Sequence, residues 1–167
     1  MKDMKPAEIA RALATGAIDA GLTWDPFIYR AEVELGDNAV VLPNQDGQFF
    51  YFMLIGKTDW IDEHAEAARG VLRALLRAEE FAINNTERAK ELIGRLFDYD
   101  KAYLDHLWPL HSLHVALPQD LLFVLETAAN WRIRNGLSDR TSSPDYMKFL
   151  ALQPLRTVRR SAVGIVE

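Results

Sequence analysis

Residues 16–27, GAIDAGLTWDPF, decide how this chain is interpreted. Gly16 ends an amphipathic run and can adopt the left-handed conformation that closes a helix. The segment 18–24 is short and largely apolar, which predicts a buried strand. Asp25 suits a helix N-cap and Pro26 suits the first helical position, because the missing N–H of proline would have no partner there. The stretch therefore predicts the end of one helix, a strand, and the start of a second helix.

The junction between this strand and the second helix predicts a ligand site. Open α/β sheets bind ligands at the carboxyl ends of their strands, and free N–H groups at a helix start favour anionic groups. Trp24 and Phe27 would add an aromatic wall beside these donors. The candidate ligand contacts are Thr23, Trp24, Asp25 and Phe27, together with Asp19, which orders the loop through backbone hydrogen bonds or touches the ligand. The alternative places both rings in the core and leaves Asp25 as a cap only.

The sequence around this junction resembles a known family. Residues 12–27, ALATGAIDAGLTWDPF, are similar to a segment of ABC-transporter solute-binding proteins of the nitrate/sulfonate/taurine type, which are related to the thiamine-pyrimidine-precursor binding proteins. The downstream order fits as well: an isolated strand, a long helical stretch LRALLRAEEFAINNTERAKELI at 72–93, and a late helix that contains Trp131. The resemblance covers nearly the whole chain but only about the C-terminal half of a family member.

The resemblance implies a fold and a function. We expect an α/β, helix-rich chain that forms the C-terminal half of a type II periplasmic-binding-protein fold and lacks the first-lobe strands. Residues 1–43 would complete the second lobe, and residues 44–167 would return to the first lobe. The function implied is that of a solute-binding component, or a fragment of one, which delivers a sulfonate, taurine, nitrate or pyrimidine precursor to an ABC permease. A periplasmic location is implied too, although the chain begins without the apolar region of a signal peptide.

Composition and motifs limit the alternatives. The formal net charge of −5 and the absence of a basic run argue against nucleic-acid binding. The chain contains no cysteine, which excludes disulfides, cysteine-based metal sites and thiol catalysis. His111 and His114 have a spacing that metal sites also use, but no partnering glutamate motif accompanies them. We therefore expect no metal, no cofactor and no enzyme; an enzyme that uses either histidine, or a truncated interaction and self-assembly module without ligand binding, remains an alternative.

Hydrophobic periodicity predicts most of the other elements. Helices are predicted at 6–15, 26–35, 65–83, 86–97, 100–108 and 118–134, with one helical turn at 146–150. Two further strands are predicted at 39–42 and 49–55, on either side of the turn cluster 43–47, because both runs are apolar throughout. The side chains expected to face inward from the helices at 65–83 and 86–97 are Ala68, Val71, Leu72, Leu75, Leu76, Ala82, Ala89, Leu92, Ile93 and Leu96.

The apolar strand predicted from Phe49 to Ile55 also suggests how the chain associates. An exposed apolar strand edge is a template for pairing with another chain, and first-lobe strands that would cover it are missing. We expect a homodimer whose contact is centred on Phe50, Phe52 and Leu54. Two copies could pair these strands about a two-fold axis or exchange the segment across the turn at 43–47.

Overall fold

The structure is a computed structural model that describes residues 3–42 and 50–166. Nearly all of the regular structure in these ranges is helical. No helix among them is long and apolar enough to cross a membrane. The α-helices are α1 (Pro6–Ala14), α2 (Phe27–Leu35), α3 (Thr58–Glu63), α4 (Ala65–Asn84), α5 (Thr86–Phe97), α6 (Lys101–Leu107), α7 (Asp120–Arg134) and α8 (Leu152–Val158). Short 3₁₀ turns occupy Gly36–Asn38, Trp108–Leu110, Tyr146–Phe149 and Arg160–Ala162.

The chain divides into two compact units. Unit 1 comprises Met1–Gln48 and Ile93–His111, and unit 2 comprises Phe49–Leu92 and Ser112–Glu167. In unit 1, α1 packs against α2, and in unit 2, α4 packs against α8. The assignment of residues 1–43 and 44–167 to two lobes stays a prediction.

The predicted helices are confirmed, with ends that move by two residues at most. α1 closes at Gly16, whose φ of +67° is the left-handed conformation that its position predicts. α7 ends in the same way, before Gly136 with a φ of +67°. The helix predicted at 86–97 has the same bounds in the structure. The predicted turn at 146–150 is the 3₁₀ turn Tyr146–Phe149.

The three predicted strands are wrong wherever the structure describes them. Segments 18–24, 39–42 and 50–55 are neither helical nor paired in a sheet, while the predicted turn 43–47 and Phe49 lie outside the described residues. Within 3–42 and 50–166, a single isolated β-bridge joins Leu117 to Val163 in parallel. A strand needs a neighbour that supplies ladder hydrogen bonds, whereas an apolar run in the sequence reports only that the segment favours burial.

The side chains predicted to face inward from α4 are confirmed in part. Val71 and Leu75 are exposed, and Glu79 is the buried residue of this helix. The other predicted inward residues are half-buried: Ala68, Leu72, Leu76 and Ala82. In α5, Ala89 is buried as predicted and Ile93 is half-buried, but Leu92 and Leu96 are exposed. Glu79 lies three residues after Leu76 and seven after Leu72, so it shares their helix face, where its carboxylate finds a basic partner in Arg159.

Glu79 joins three segments of unit 2. Its Oε2 accepts hydrogen bonds from Arg159 Nη2 at 2.6 Å and from Val115 N at 2.7 Å. His114 Nδ1 lies 3.8 Å from the other carboxylate oxygen. The hydrogen bond from Arg159, together with that from Val115, holds the pKa of Glu79 below its ordinary value. This carboxylate therefore ties α4 to the loop that precedes α7 and to the end of α8.

Candidate functional site

The predicted ligand site lies in unit 1, in the turn that leads from α1 into α2. Gly21 passes so close to α1 that a Cβ atom at this position would lie 2.5 Å from Ile9 Cγ2. Ile9 is itself buried. The contact holds the segment before Thr23 against α1 without any sheet, and a side chain at position 21 would force Ile9 or the backbone to shift.

The turn before α2 supplies the hydrogen-bond acceptors for N–H groups at the start of this helix. Trp24 O accepts a hydrogen bond from Phe27 N at 2.8 Å, and Asp25 Oδ1 accepts one from Tyr29 N at 3.4 Å. Phe27 is the first helical residue, and Pro26 rather than Asp25 stands at the N-cap. The expectation of free N–H donors here is therefore wrong for these two groups, since each has a partner and a carboxylate lies beside them.

An aromatic face with one cation stands at this turn. The rings of Trp24 and Phe27 meet edge to face with centroids 6.1 Å apart. The Arg30 guanidinium carbon lies 5.9 Å from the centre of the Phe27 ring, a distance that allows a cation–π contact. Trp24 is 61% exposed, so the alternative that it belongs to the core is wrong. These three side chains, which we call the aromatic–arginine face, combine apolar surface with an exposed positive charge.

A second layer of aromatic side chains supports α2 from α6. Tyr29 packs against Tyr103 with ring centroids 5.0 Å apart, and Tyr99 meets Tyr103 edge to face at 4.8 Å. Tyr103 is buried, and burial followed by the nearby charge of Asp25 raises its pKa to about 12. Tyr103 is therefore neutral at physiological pH, and this layer holds α2 in place rather than offering a titrating group.

The remaining candidate residues differ in their surroundings. Thr23 Oγ1 is buried and has no hydrogen-bond partner among the described residues, so it retains the capacity to bind a polar atom. Asp19 is exposed, and the described part of the chain gives it no hydrogen bond. The expectation that Asp19 orders the loop through backbone hydrogen bonds is therefore wrong, because the contact of Gly21 with Ile9 does so instead.

The histidines do not gather into a metal site in the described ranges. His111 Nδ1 lies 3.1 Å from Leu107 O in unit 1, whereas His114 belongs to unit 2 and faces Glu79. His106 Nε2 lies 3.9 Å from Glu32 Oε2. Among residues 3–42 and 50–166, no group of three or more histidine, aspartate or glutamate side chains could hold a metal ion.

The chain is similar to curated proteins that carry the names of binding proteins. It is 27% identical over 108 residues to a protein of Brucella abortus (strain 2308) named as a binding protein, across 61% of this chain and 33% of the relative. It is 23% identical over 141 residues to a protein of Bacillus subtilis (strain 168) named as an aliphatic sulfonates-binding protein, across 82% of this chain and 42% of the relative. These likenesses support a solute-binding protein family.

The similarity covers less than half of each relative. The matched stretch spans only 33% and 42% of the length of these two relatives. No family model matches the chain, and no solved structure matches it. The names are those of binding proteins, which favours the prediction that the chain is not an enzyme.

Sequence reasoning missed two parts of the site. Arg30 lies three residues after Phe27, and this spacing places both on neighbouring positions of one helix face, so the signal was present. The packing of Tyr29 on Tyr103 joins residues far apart in the chain, and no local pattern reports such a contact.

Proposed function

We propose that this chain is the solute-binding component, or a portion of one, of an ABC importer for a small organic or anionic solute. The aromatic–arginine face carries the proposal. Small-molecule sites combine apolar and aromatic surface with a few polar groups. A guanidinium can also bind an oxyanion through two parallel hydrogen bonds. A sulfonate, taurine, nitrate or a pyrimidine precursor would suit this face, and one relative is named for aliphatic sulfonates.

The proposed mechanism needs two walls. In the proposed type II periplasmic-binding-protein fold, two lobes close around the solute. This chain would supply the wall that carries Trp24 and Arg30. The opposite wall would come from the remainder of a protein as long as the curated relatives. The permease would then receive the solute outside the cytoplasm, in a periplasmic or extracellular setting.

Titration calorimetry tests this proposal. Taurine, short alkanesulfonates, nitrate and pyrimidines would each be titrated into the purified chain. We expect weak binding of at least one solute, and we expect Trp24→Ala and Arg30→Gln each to reduce it at least tenfold. The matched controls are Trp131→Ala and Arg140→Gln, which remove an exposed tryptophan and an exposed arginine of unit 2.

Two results would contradict the proposal. Sub-micromolar binding by the monomeric chain alone would remove the need for a second wall. Binding that survives both Trp24→Ala and Arg30→Gln would place the solute elsewhere and would refute the role of the aromatic–arginine face.

A second candidate function is self-assembly without solute transport. The observation that favours it is the exposure of segment 50–55, where Phe50 is 79% exposed and Leu54 and Ile55 are also exposed. The segment carries no charge that would oppose its pairing with a second copy. We propose a homodimer whose contact is centred on Phe50, Phe52 and Leu54.

The area available supports this contact. The two phenylalanine side chains would bury roughly 300 Å² per chain, since an aromatic side chain buries about 150–250 Å². A stable interface needs about 800 Å² per partner. The other exposed side chains of segment 50–55, Met53, Leu54 and Ile55, would supply part of the remainder, and neighbouring helix faces would supply the rest.

Light scattering over a concentration series tests the dimer. We expect a dimer for the unmodified chain and a monomer for Phe52→Lys, because a charge on the apolar segment would be buried without a partner. Phe123→Lys, which changes an exposed phenylalanine of α7, is the control and should stay dimeric. A stable, folded monomer at low micromolar concentration would contradict the dimer, and a dimer that tolerates Phe52→Lys would contradict this interface.

A further inference from the structure

Unit 2 contains a cleft that the proposed function does not use. It has a volume of about 460 Å³ and lies between the start of α4 and the stretch from Met147 into α8. This volume falls in the range of about 300–1,000 Å³ that is usual for small-molecule sites. Most of its lining is apolar, contributed by Ile61, Ala65, Met147, Leu150, Leu152 and Pro154.

Arg69 is the cationic side chain that lines the cleft. Its Nε and Nη2 lie 2.9 Å and 2.8 Å from Glu66 Oε2, and the other oxygen of Glu66 accepts a hydrogen bond from Arg73. One carboxylate thus serves two guanidinium groups, which leaves an excess of one positive charge. Because Arg69 has five N–H donors and spends two on Glu66, it retains donors for another acceptor.

A nearby acid narrows the choice of ligand. Asp62 also lines the cleft and would repel an anion that came close to it. Glu66 is highly exposed, so its pairing with Arg69 is a surface ion pair that contributes little and can yield to another anion. The formal charges of these two acids and two arginines, Asp62, Glu66, Arg69 and Arg73, sum to zero. An anion is therefore attracted only when its head group lies directly on Arg69.

We infer that this cleft binds a small amphiphilic anion, with an alkyl chain on the apolar lining and a sulfonate or carboxylate head group on Arg69. The apolar lining would bury an alkyl chain. The planar guanidinium of Arg69 can donate two parallel hydrogen bonds to one oxyanion head group. The site is independent of the proposed function, because Trp24 and Arg30 belong to unit 1. Its affinity should be roughly millimolar, as expected for a ligand with few heavy atoms on an open surface.

Titration followed by NMR tests this site. Ethane-, butane- and hexanesulfonate would be added in turn while the methyl signals of Met147, Leu150 and Ile61 are recorded. We expect these signals to shift and the affinity to rise by up to about fourfold for each methylene added, which is the gain for a fully buried methylene. Hexanoate should bind as well, whereas hexylamine and hexanol should bind at least fivefold more weakly than hexanesulfonate.

Two variants are expected to change the affinity for hexanesulfonate in opposite directions. Arg69→Gln should weaken hexanesulfonate binding roughly tenfold, and Asp62→Asn should strengthen it because a repulsive charge is removed. Trp24→Ala should change nothing at the methyl signals of the cleft, which separates this site from the proposed solute site. The inference is overturned if hexylamine or hexanol binds as tightly as the sulfonate, or if Arg69→Gln leaves the affinity unchanged in a variant with an unaltered melting midpoint.

Discussion

Replacing Glu79 tests whether one buried carboxylate holds three segments of unit 2 together. Its side chain is 8% exposed and accepts hydrogen bonds from Arg159 Nη2 and Val115 N. Glu79→Ala removes the acceptor for both groups. Glu79→Gln removes only the charge, because the amide oxygen can still accept one or both hydrogen bonds.

The expected cost follows from the exposure of the partner. Breaking a buried ion pair costs about 3–5 kcal/mol, and leaving one buried N–H unpaired costs about 1–3 kcal/mol. Arg159 remains 36% exposed and can recover part of its hydration, so we expect about 3 kcal/mol for Glu79→Ala. We expect about 1–2 kcal/mol for Glu79→Gln. At about 2–4 °C per kcal/mol, Glu79→Ala should lower the melting midpoint by roughly 6–12 °C.

The pH dependence separates charge from packing. The pKa of Glu79 is lower in the folded chain than in the unfolded chain, so the folded state binds this proton more weakly. The stabilisation is therefore present above the unfolded value of about 4.3 and is lost as the pH falls through the folded pKa. The unmodified chain and Glu79→Gln should differ at neutral pH and converge in acid.

Thermal melts over a pH series provide the measurement. Glu66→Gln is the matched control, since Glu66 lies on the same helix and also serves two arginines, but its side chain is 69% exposed. We expect its midpoint to change little. Equal midpoints for the unmodified chain and Glu79→Ala at neutral pH would refute the reasoning, as would a deficit for Glu79→Gln that persists unchanged in acid.

Three further predictions concern stability. Trp24→Ala should cost about 1 kcal/mol in chemical denaturation, because the ring is exposed and loses mainly its contact with Phe27; a cost of about 3–5 kcal/mol would show a core residue. Gly21→Ala should cost about 1–3 kcal/mol through overpacking against α1, and an unchanged denaturation midpoint would contradict that contact. Tyr51→Phe removes a hydrogen bond of 2.6 Å to Asp120 and should cost about 1 kcal/mol. Because burial and this hydrogen bond raise the pKa of Tyr51 to about 12, that cost should be present below about pH 10 and vanish as the pH rises through 12, and a cost that persists there would count against it.

The helices could be predicted because their signals are local. The apolar period and the asparagine pair before Thr86 predict α5, and Gly16 and Gly136 mark the ends of α1 and α7. Two short helices, α3 and α8, were not predicted. Pro154 lies in the first turn of α8, where the proline N–H is not required.

The strands could not be predicted because pairing is not local. Segments 39–42 and 50–55 are as apolar as buried strands, but the sequence does not report whether a neighbouring strand is present. The burial of Glu79 is another example. A glutamate on a helix is normally exposed, and only the distant Arg159 makes its burial favourable.

The site was predicted only in part, because some of its contacts are local in sequence and others are not. Trp24 and Phe27 lie together because they stand three positions apart around one turn, and the sequence shows this spacing directly. The pairing of the turn N–H groups and the unpartnered Thr23 Oγ1 depend on the path of the loop, which Gly21 and Ile9 determine. Their environment could not be derived from local propensity.

Mapping the solute by NMR tests the central claim most directly. Amide and indole signals would be recorded while taurine, an alkanesulfonate, nitrate or a pyrimidine is added to the purified chain. We predict that at least one solute shifts the Trp24 indole signal and the Phe27 and Arg30 amide signals in a saturable manner, and that Arg30→Gln abolishes the shifts. The absence of any shift at these three residues with every solute up to about 10 mM, a concentration well above the roughly millimolar affinity of small ligands, would contradict the claim.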